Sequence, residues 1–164
     1  MSLNKMTVFR EIRPGDDPVM AEIIRSNLRA VGLDIPGTAY YDDNLNHLSD
    51  FYLADKTRRY YCIAEEDGKV IGGTGLAEIE YFEDCAELQK LYLTDVAKGK
   101  GLGYSLIEKI EYKARELGYK RIYLETHTDL KAAIHIYKKC GYKEIEKPSS
   151  VVHETMNLFL IKSI

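Results

Sequence analysis

The chain has 164 residues, 23 Lys+Arg against 26 Asp+Glu, a formal charge of −3 and a hydrophobic content of 45%. That length suits one domain with a core large enough to need no disulfide or structural zinc, and the composition argues against intrinsic disorder. The small, interspersed charge speaks against a nucleic-acid partner, no apolar run is long enough to span a membrane, and Cys62, Cys85 and Cys140 form no CxxC pair, so a soluble cytoplasmic protein without a metal centre is expected.

The segment Met6–Ile12 reads as a first strand, ended by Arg13-Pro14-Gly15. Asp17 as cap and Pro18 at the first helical position open a helix with Met20, Ile23, Ile24, Leu28 and Val31 on one stripe, closed by Gly32. Residues 33–43 (LDIPGTAYYDD) read as a loop, and Leu45–Leu53 as a short helix. Arg59–Glu65 and Val70–Glu80 are antiparallel strands around the turn Asp67-Gly68.

Ala86–Thr94 (AELQKLYLT) is a strand with an internal contradiction. Leu91 and Leu93 share a parity with Glu87 and Gln89, so its faces are not simply apolar and polar. A glycine-rich turn leads into a helix over Leu102–Leu117, ended by Gly118. Lys120–Glu125 is a strand, Leu130–Lys139 a helix, Gly141–Glu146 the start of another strand, and Val151–Leu160 a last β-rich segment. This order, β-α-α-β-β-β-α-β-α-β-β, implies a mixed α/β fold with helices on the faces of a sheet.

The turn Lys98-Gly99-Lys100-Gly101-Leu102-Gly103 lies between a predicted strand and a predicted helix. Glycines permit close backbone approach, and the first amides of a helix lack internal partners, so the turn suits a phosphate. The plainer reading is a helix-initiating turn. It matches neither the P-loop pattern GxxxxGK[ST] nor the dinucleotide fingerprint GxGxxG.

The stretch ELQKLYLTDVAKGKGLGYSLIEKI resembles the central motif of the GCN5-related N-acetyltransferase (GNAT) superfamily, Arg/Gln-x-x-Gly-x-Gly/Ala. Lys98, Gly101 and Gly103 take its three defining positions. A second stretch, IYLETHTDLKAAIHIYKKCGYKEIE, resembles the strand, helix and Gly-aromatic ending of the same family. VFREIRPGD and VIGGTGL also fit, so the resemblance covers nearly the whole of residues 1–164 as one N-acetyltransferase domain. It implies a central, largely antiparallel twisted sheet flanked by helices, with splayed central strands. It further implies acetyl-CoA as cosubstrate, no metal, and direct transfer of acetyl to a primary amine of a small molecule or amino acid. A protein or peptide acceptor, and a CoA-binding module without turnover, are the alternatives. A homodimer is also an expectation, with no nucleic-acid or membrane partner.

Residue by residue, the resemblance puts pantetheine along the backbone of Leu91, Tyr92 and Leu93. The pyrophosphate falls on Lys98, Gly99, Lys100, Gly101, Leu102, Gly103 and Tyr104. Tyr137 matches the tyrosine that protonates the departing thiolate; the plainer reading is a packed helix tyrosine. Glu87 is the first choice of base and Glu125 the second, with Glu80 and Asp84 as further acids and His127 as a proton relay. All of these have an easy reading as solvated side chains. Tyr40 and Tyr41, beside Asp42 and Asp43, together with Glu80, are expected on the acceptor side. Leu130 stands where many members carry an asparagine, and Lys98 replaces the usual Arg or Gln.

Overall fold

A computed structural model describes residues 6–152 and 155–164. Its strands are β1 (Thr7–Glu11), β2 (Tyr60–Glu66), β3 (Lys69–Glu78), β4 (Cys85–Leu93), β5 (Arg121–Thr126), β6 (Lys143–Ile145) and β7 (Leu158–Ser163). The α-helices are α1 (Asp17–Ala30), α2 (Leu48–Leu53), α3 (Leu102–Glu116) and α4 (Lys131–Lys139). The seven strands form one sheet in the order β1-β2-β3-β4-β5-β7-β6. Only β4 and β5 run parallel; every other neighbouring pair is antiparallel.

Two ends differ from the sequence reading. The helix cap is Asp16 rather than Asp17, with Pro18 in the first turn. Asp17 instead accepts hydrogen bonds from the Ser49 amide and hydroxyl, at 2.9 and 2.6 Å, and ties α1 to α2. The last strand begins at Leu158, not Val151; residues 153 and 154 of that expected segment lie outside the described residues. The Asp67-Gly68 turn has φ of 52° and 80° at its two central residues, the twist that suits a tight hairpin.

A core fills each face of the sheet. On one side Met20, Ile24 and Leu28 of α1 and Leu48 and Tyr52 of α2 pack on Tyr61, Ile63 and Ala77. On the other, Leu106, Ile107 and Ile110 of α3 and Tyr137 of α4 pack on Leu76, Ala86, Leu88 and Leu124. Burial of this kind contributes roughly 1.5–3 kcal/mol per large side chain. The glycines of β3 let bulky side chains lie flat on the sheet: a Cβ on Gly75 would stand 2.6 Å from the Tyr52 hydroxyl oxygen.

Two irregularities open the sheet. β4 pairs with β5 only at Cys85–Arg121, Ala86–Ile122 and Glu87–Tyr123; beyond Glu87 no pairing between them is formed. The register between β3 and β4 also slips between Gly73 and Gly75, facing Tyr92 and Gln89 respectively. Lys90 is the extra residue of this bulge, with a left-handed φ of 52°. The extra residue resolves the parity contradiction of AELQKLYLT. Leu91 and Leu93 join Leu88 against the α3 face, whereas Tyr92 packs on the α1 face and Gln89 reaches Tyr52 there.

Candidate active site

A cavity of about 550 Å³ occupies the gap beside β4. Glu87 through Leu93, Glu125 and Thr126 of β5, Ala133, Ile136 and Tyr137 of α4, and Lys98 and Gly103 line it. Asn27, Thr38 and Asp42 close the α1 side, and Met156 reaches in from the segment before β7. Two loops meet near this opening: the Thr155 hydroxyl donates to the Pro36 carbonyl at 3.3 Å, and Thr155 lies in direct contact with Gly37.

One wall is made of backbone. Gly99 and Gly101 are left-handed, with φ of 77° and 79°, and Gly101 is the residue before the first turn of α3. Among the described residues, the amides of Gly99 through Tyr104 have no partner; the first paired amide is that of Ser105, which donates to the Gly101 carbonyl at 3.2 Å. Six unpaired N–H groups at the positive end of a 15-residue helix form an anion cradle. Gly103 and Lys98 face the cavity, and the Lys98 ammonium is held by Asp95 at 3.0 Å.

The edge of β4 continues this wall. The Thr94 amide donates to the Ile71 carbonyl at 2.8 Å, so strand alternation turns the polar groups of Tyr92 toward β3 and those of Leu91 and Leu93 toward the gap. The Leu93 carbonyl accepts a bond of 2.8 Å from the Asn27 side chain. Of the three residues expected there, Tyr92 is thus turned toward β3, and the Leu93 carbonyl is already taken by Asn27.

The opposite wall is made of side chains. Glu87 is partly buried, and its Oε1 accepts a hydrogen bond of 2.6 Å from Gln89 Nε2. Gln89 Oε1 in turn accepts one of 2.7 Å from the hydroxyl of the fully buried Tyr52. Burial pushes the Glu87 carboxyl up to about 7, and the charge of Glu125 adds to that rise; the Gln89 bond and the Lys90 charge pull against it. Glu125 Oε2 accepts from the Tyr123 hydroxyl at 2.7 Å. Lys90 bonds Asp42 at 3.0 Å.

Tyr137 stands where the two walls meet. It is 6% exposed, lies against the Tyr142 ring and borders the cavity. Burial, reinforced by Tyr92, raises its phenol well above the ordinary value, so it stays protonated at neutral pH. Its hydroxyl has no hydrogen-bond partner among the described residues.

The structure thus brings Tyr137, Glu87, Glu125, Leu91, Tyr92, Leu93, Lys98 and Gly103 to one cavity. Gly99, Lys100, Gly101, Leu102 and Tyr104 belong to the adjoining turn. Glu80 is exposed beyond the end of β3 and does not line the cavity. Asp84 is exposed too, its carbonyl accepting from the amides of Lys120 and Arg121. The Tyr40 and Tyr41 rings pack on each other, tilted by 55° with centroids 5.1 Å apart, Tyr40 beside Arg29, while their neighbours Thr38, Ala39 and Asp42 line the cavity instead. His127 accepts the Asp129 amide at 3.1 Å and lies off the lining. Leu130 borders the cavity with an apolar side chain.

Sequence reasoning missed Tyr52, Gln89, Lys90 and Asn27. The broken parity around Lys90 was the available signal for Gln89 and Lys90.

The comparisons agree with this architecture. The model of the acetyltransferase (GNAT) family matches residues 20–142. This chain therefore belongs to that family of acetyltransferases. It is 37% identical over 141 residues to an uncharacterized N-acetyltransferase, YjgM, of Escherichia coli, covering 85% of this chain and 83% of that one. It is 25% identical over 144 residues to the spermidine N(1)-acetyltransferase of Vibrio cholerae, covering 87% and 82%. Among solved structures, the PaiA N-acetyltransferase of Thermoplasma acidophilum in complex with coenzyme A shares the fold with a TM-score of 0.77 at 18% identity, covering 97% and 99%.

Proposed function

We propose that the protein transfers acetyl from acetyl-CoA to a primary amine of a small molecule, by direct attack. The observation that carries this reading is the meeting of two walls in one cavity. Unpaired amides lie at one side, a carboxyl near neutrality at the other, and a protonated tyrosine between them.

Acetyl-CoA supplies an acetyl group activated as a thioester. The residues fit it. The amides of Gly99–Tyr104 receive the pyrophosphate, and a Cβ at Gly101 would meet no protein atom within 4 Å, which leaves the approach open. The Leu91 amide and carbonyl and the Leu93 amide receive the pantetheine arm, and the Leu91 amide is the group placed to stabilise charge on the carbonyl oxygen. Glu87, oriented by Gln89 and Tyr52, accepts the proton of the attacking amine directly or through water; a base poised near the working pH suits that step. The Tyr137 hydroxyl, with no competing acceptor among the described residues, donates its proton to the departing sulfur.

A small acceptor is favoured by the contact of Thr155 with Pro36 and Gly37, which narrows the mouth on the acceptor side. The test is thiol release from acetyl-CoA across a panel of amines and peptides, with acetyl-CoA binding measured separately by calorimetry. Amine-dependent thiol release is expected. Tight binding with no release for any amine or peptide would replace this reading with a CoA-binding module.

A further inference from the structure

Resting on the acyl-transfer reading above, we propose that Lys90 forms a carboxylate-binding site at the acceptor end of the cavity, so that the acceptor is an amino acid rather than a polyamine. Lys90 sits on a strand, not on a loop, and its bulge places a side chain where the backbone is left-handed at φ 52°, a conformation disfavoured for any residue with a Cβ. The Lys90 carbonyl is pinned by a hydrogen bond of 2.9 Å from the buried Tyr61 hydroxyl. Lys90 therefore lines the cavity from a rigid support.

The Lys90 ammonium is only half supplied. The Lys90 side chain is 14% exposed, and its ammonium bonds Asp42 Oδ2 at 3.0 Å. An ammonium carries three N–H donors, and no other acceptor bonds it among the described residues. A nearly buried cation with donors to spare is unfavourable until an acceptor arrives. A carboxylate is the acceptor whose charge and two oxygens suit it.

Lys90 itself opposes a second ammonium at this end. The charge of Asp42 is already neutralised by Lys90. Gln89 is neutral and tied to Glu87 and Tyr52. Glu125 accepts from the neutral Tyr123 hydroxyl, and Asp129 lies farther along the lining, 3.5 Å from His127. A polyamine entering here would bring its distal cation against Lys90. An amino acid meets complementary chemistry at both ends, its carboxylate on the spare Lys90 donors and its amine toward Glu87, whose ionisation senses Lys90.

The experiment compares thiol release for amino acids, their carboxamides, and linear diamines and spermidine, at equal free-base amine concentration. The free acids are expected to show kcat/KM at least tenfold above their carboxamides and above the polyamines. Lys90→Met raises KM for the acids tenfold or more and erases the preference, and Lys90→Arg retains it. Should Lys90→Met fail to fold, Asp42→Asn replaces it: removing the competing carboxylate lowers KM for the acids. Equal or better use of carboxamides or polyamines by the wild type overturns the proposal, as does a Lys90→Met protein that keeps the preference. No thiol release with any amine overturns the acyl-transfer reading, and the carboxylate site falls with it; wild-type data alone separate that outcome from the others.

Discussion

The two walls of the cavity are built from different materials. The wall along Leu91, Leu93 and the Gly99–Tyr104 turn presents backbone amides and carbonyls, supplied by one strand edge and one helix start. The wall of Glu87, Gln89, Lys90, Asp42 and Tyr52 presents side chains held by one another. A backbone wall needs only glycine where a Cβ would strain the turn, so many sequences can build it. A side-chain wall changes with each residue, and on the proposed reading it is there that the acceptor is chosen.

Removing one group from each wall, and one from the seam between them, sharpens this contrast. Glu87→Gln, on the side-chain wall, should lower kcat by about 10²–10⁴, the usual worth of a general base, with acetyl-CoA affinity by calorimetry within about twofold. Tyr137→Phe, at the seam, should lower kcat by roughly 10²-fold with the same affinity; equal single-turnover rates would mean that the ring only packs. Gly101→Val acts on the backbone wall. Its φ of 79° makes any side chain there strained, and acetyl-CoA affinity should fall about tenfold while kcat at saturation changes less.

Smaller effects come from the supports of the side-chain wall. Tyr52→Phe deletes the donor that fixes Gln89, and should cost on the order of 1 kcal/mol of stability by denaturant titration with only a few-fold loss of kcat. A separate effect falls on folding itself. Burial raises the Glu87 carboxyl from 4.5 to about 7, so the folded state holds its proton more tightly than the unfolded one. Its ionisation therefore destabilises the fold progressively as pH rises from about 4.5 to about 7, and fully above that range. Glu87→Gln should melt higher than the wild type at pH 8 and at the same temperature near pH 4.

The backbone wall was legible in the sequence because its determinants are local. Gly99, Gly101 and Gly103 stand together between a strand and a helix, and unpaired helix amides follow from that position alone. The order of elements along the chain and the helices on the faces of the sheet were legible in the same way, whereas the order of strands across the sheet was not. Tyr40 and Tyr41 were expected at the acceptor wall and instead pack on each other, because composition shows which loop is aromatic and not which way its rings turn. Glu80 was misplaced for a related reason: β3 ends at Glu78, two residues short of the expected strand, and leaves Glu80 in solvent.

Lys90 is the instructive case. A strand of strict period two would have hidden either Leu91 and Leu93 or Glu87 and Gln89 on the wrong face. One extra residue places both pairs correctly, and the same residue lines the cavity. The sequence carried the contradiction, and the backbone geometry that resolves it appears only in three dimensions. Tyr52 is a core residue whose hydroxyl reaches Gln89 because Gly75 lies beneath the ring, a contact 37 residues apart in the chain that no local pattern announces.

The central claim is that the two walls cooperate in moving a proton to and from the reacting atoms, with Glu87 as the base. It is tested most directly by the pH profile of kcat/KM for acetyl-CoA, with the free-base concentration of the acceptor held constant across the series. The wild type should show a rising limb centred near pH 7, and Glu87→Gln a low rate without that limb. The same limb at the same rate in both proteins would contradict the account.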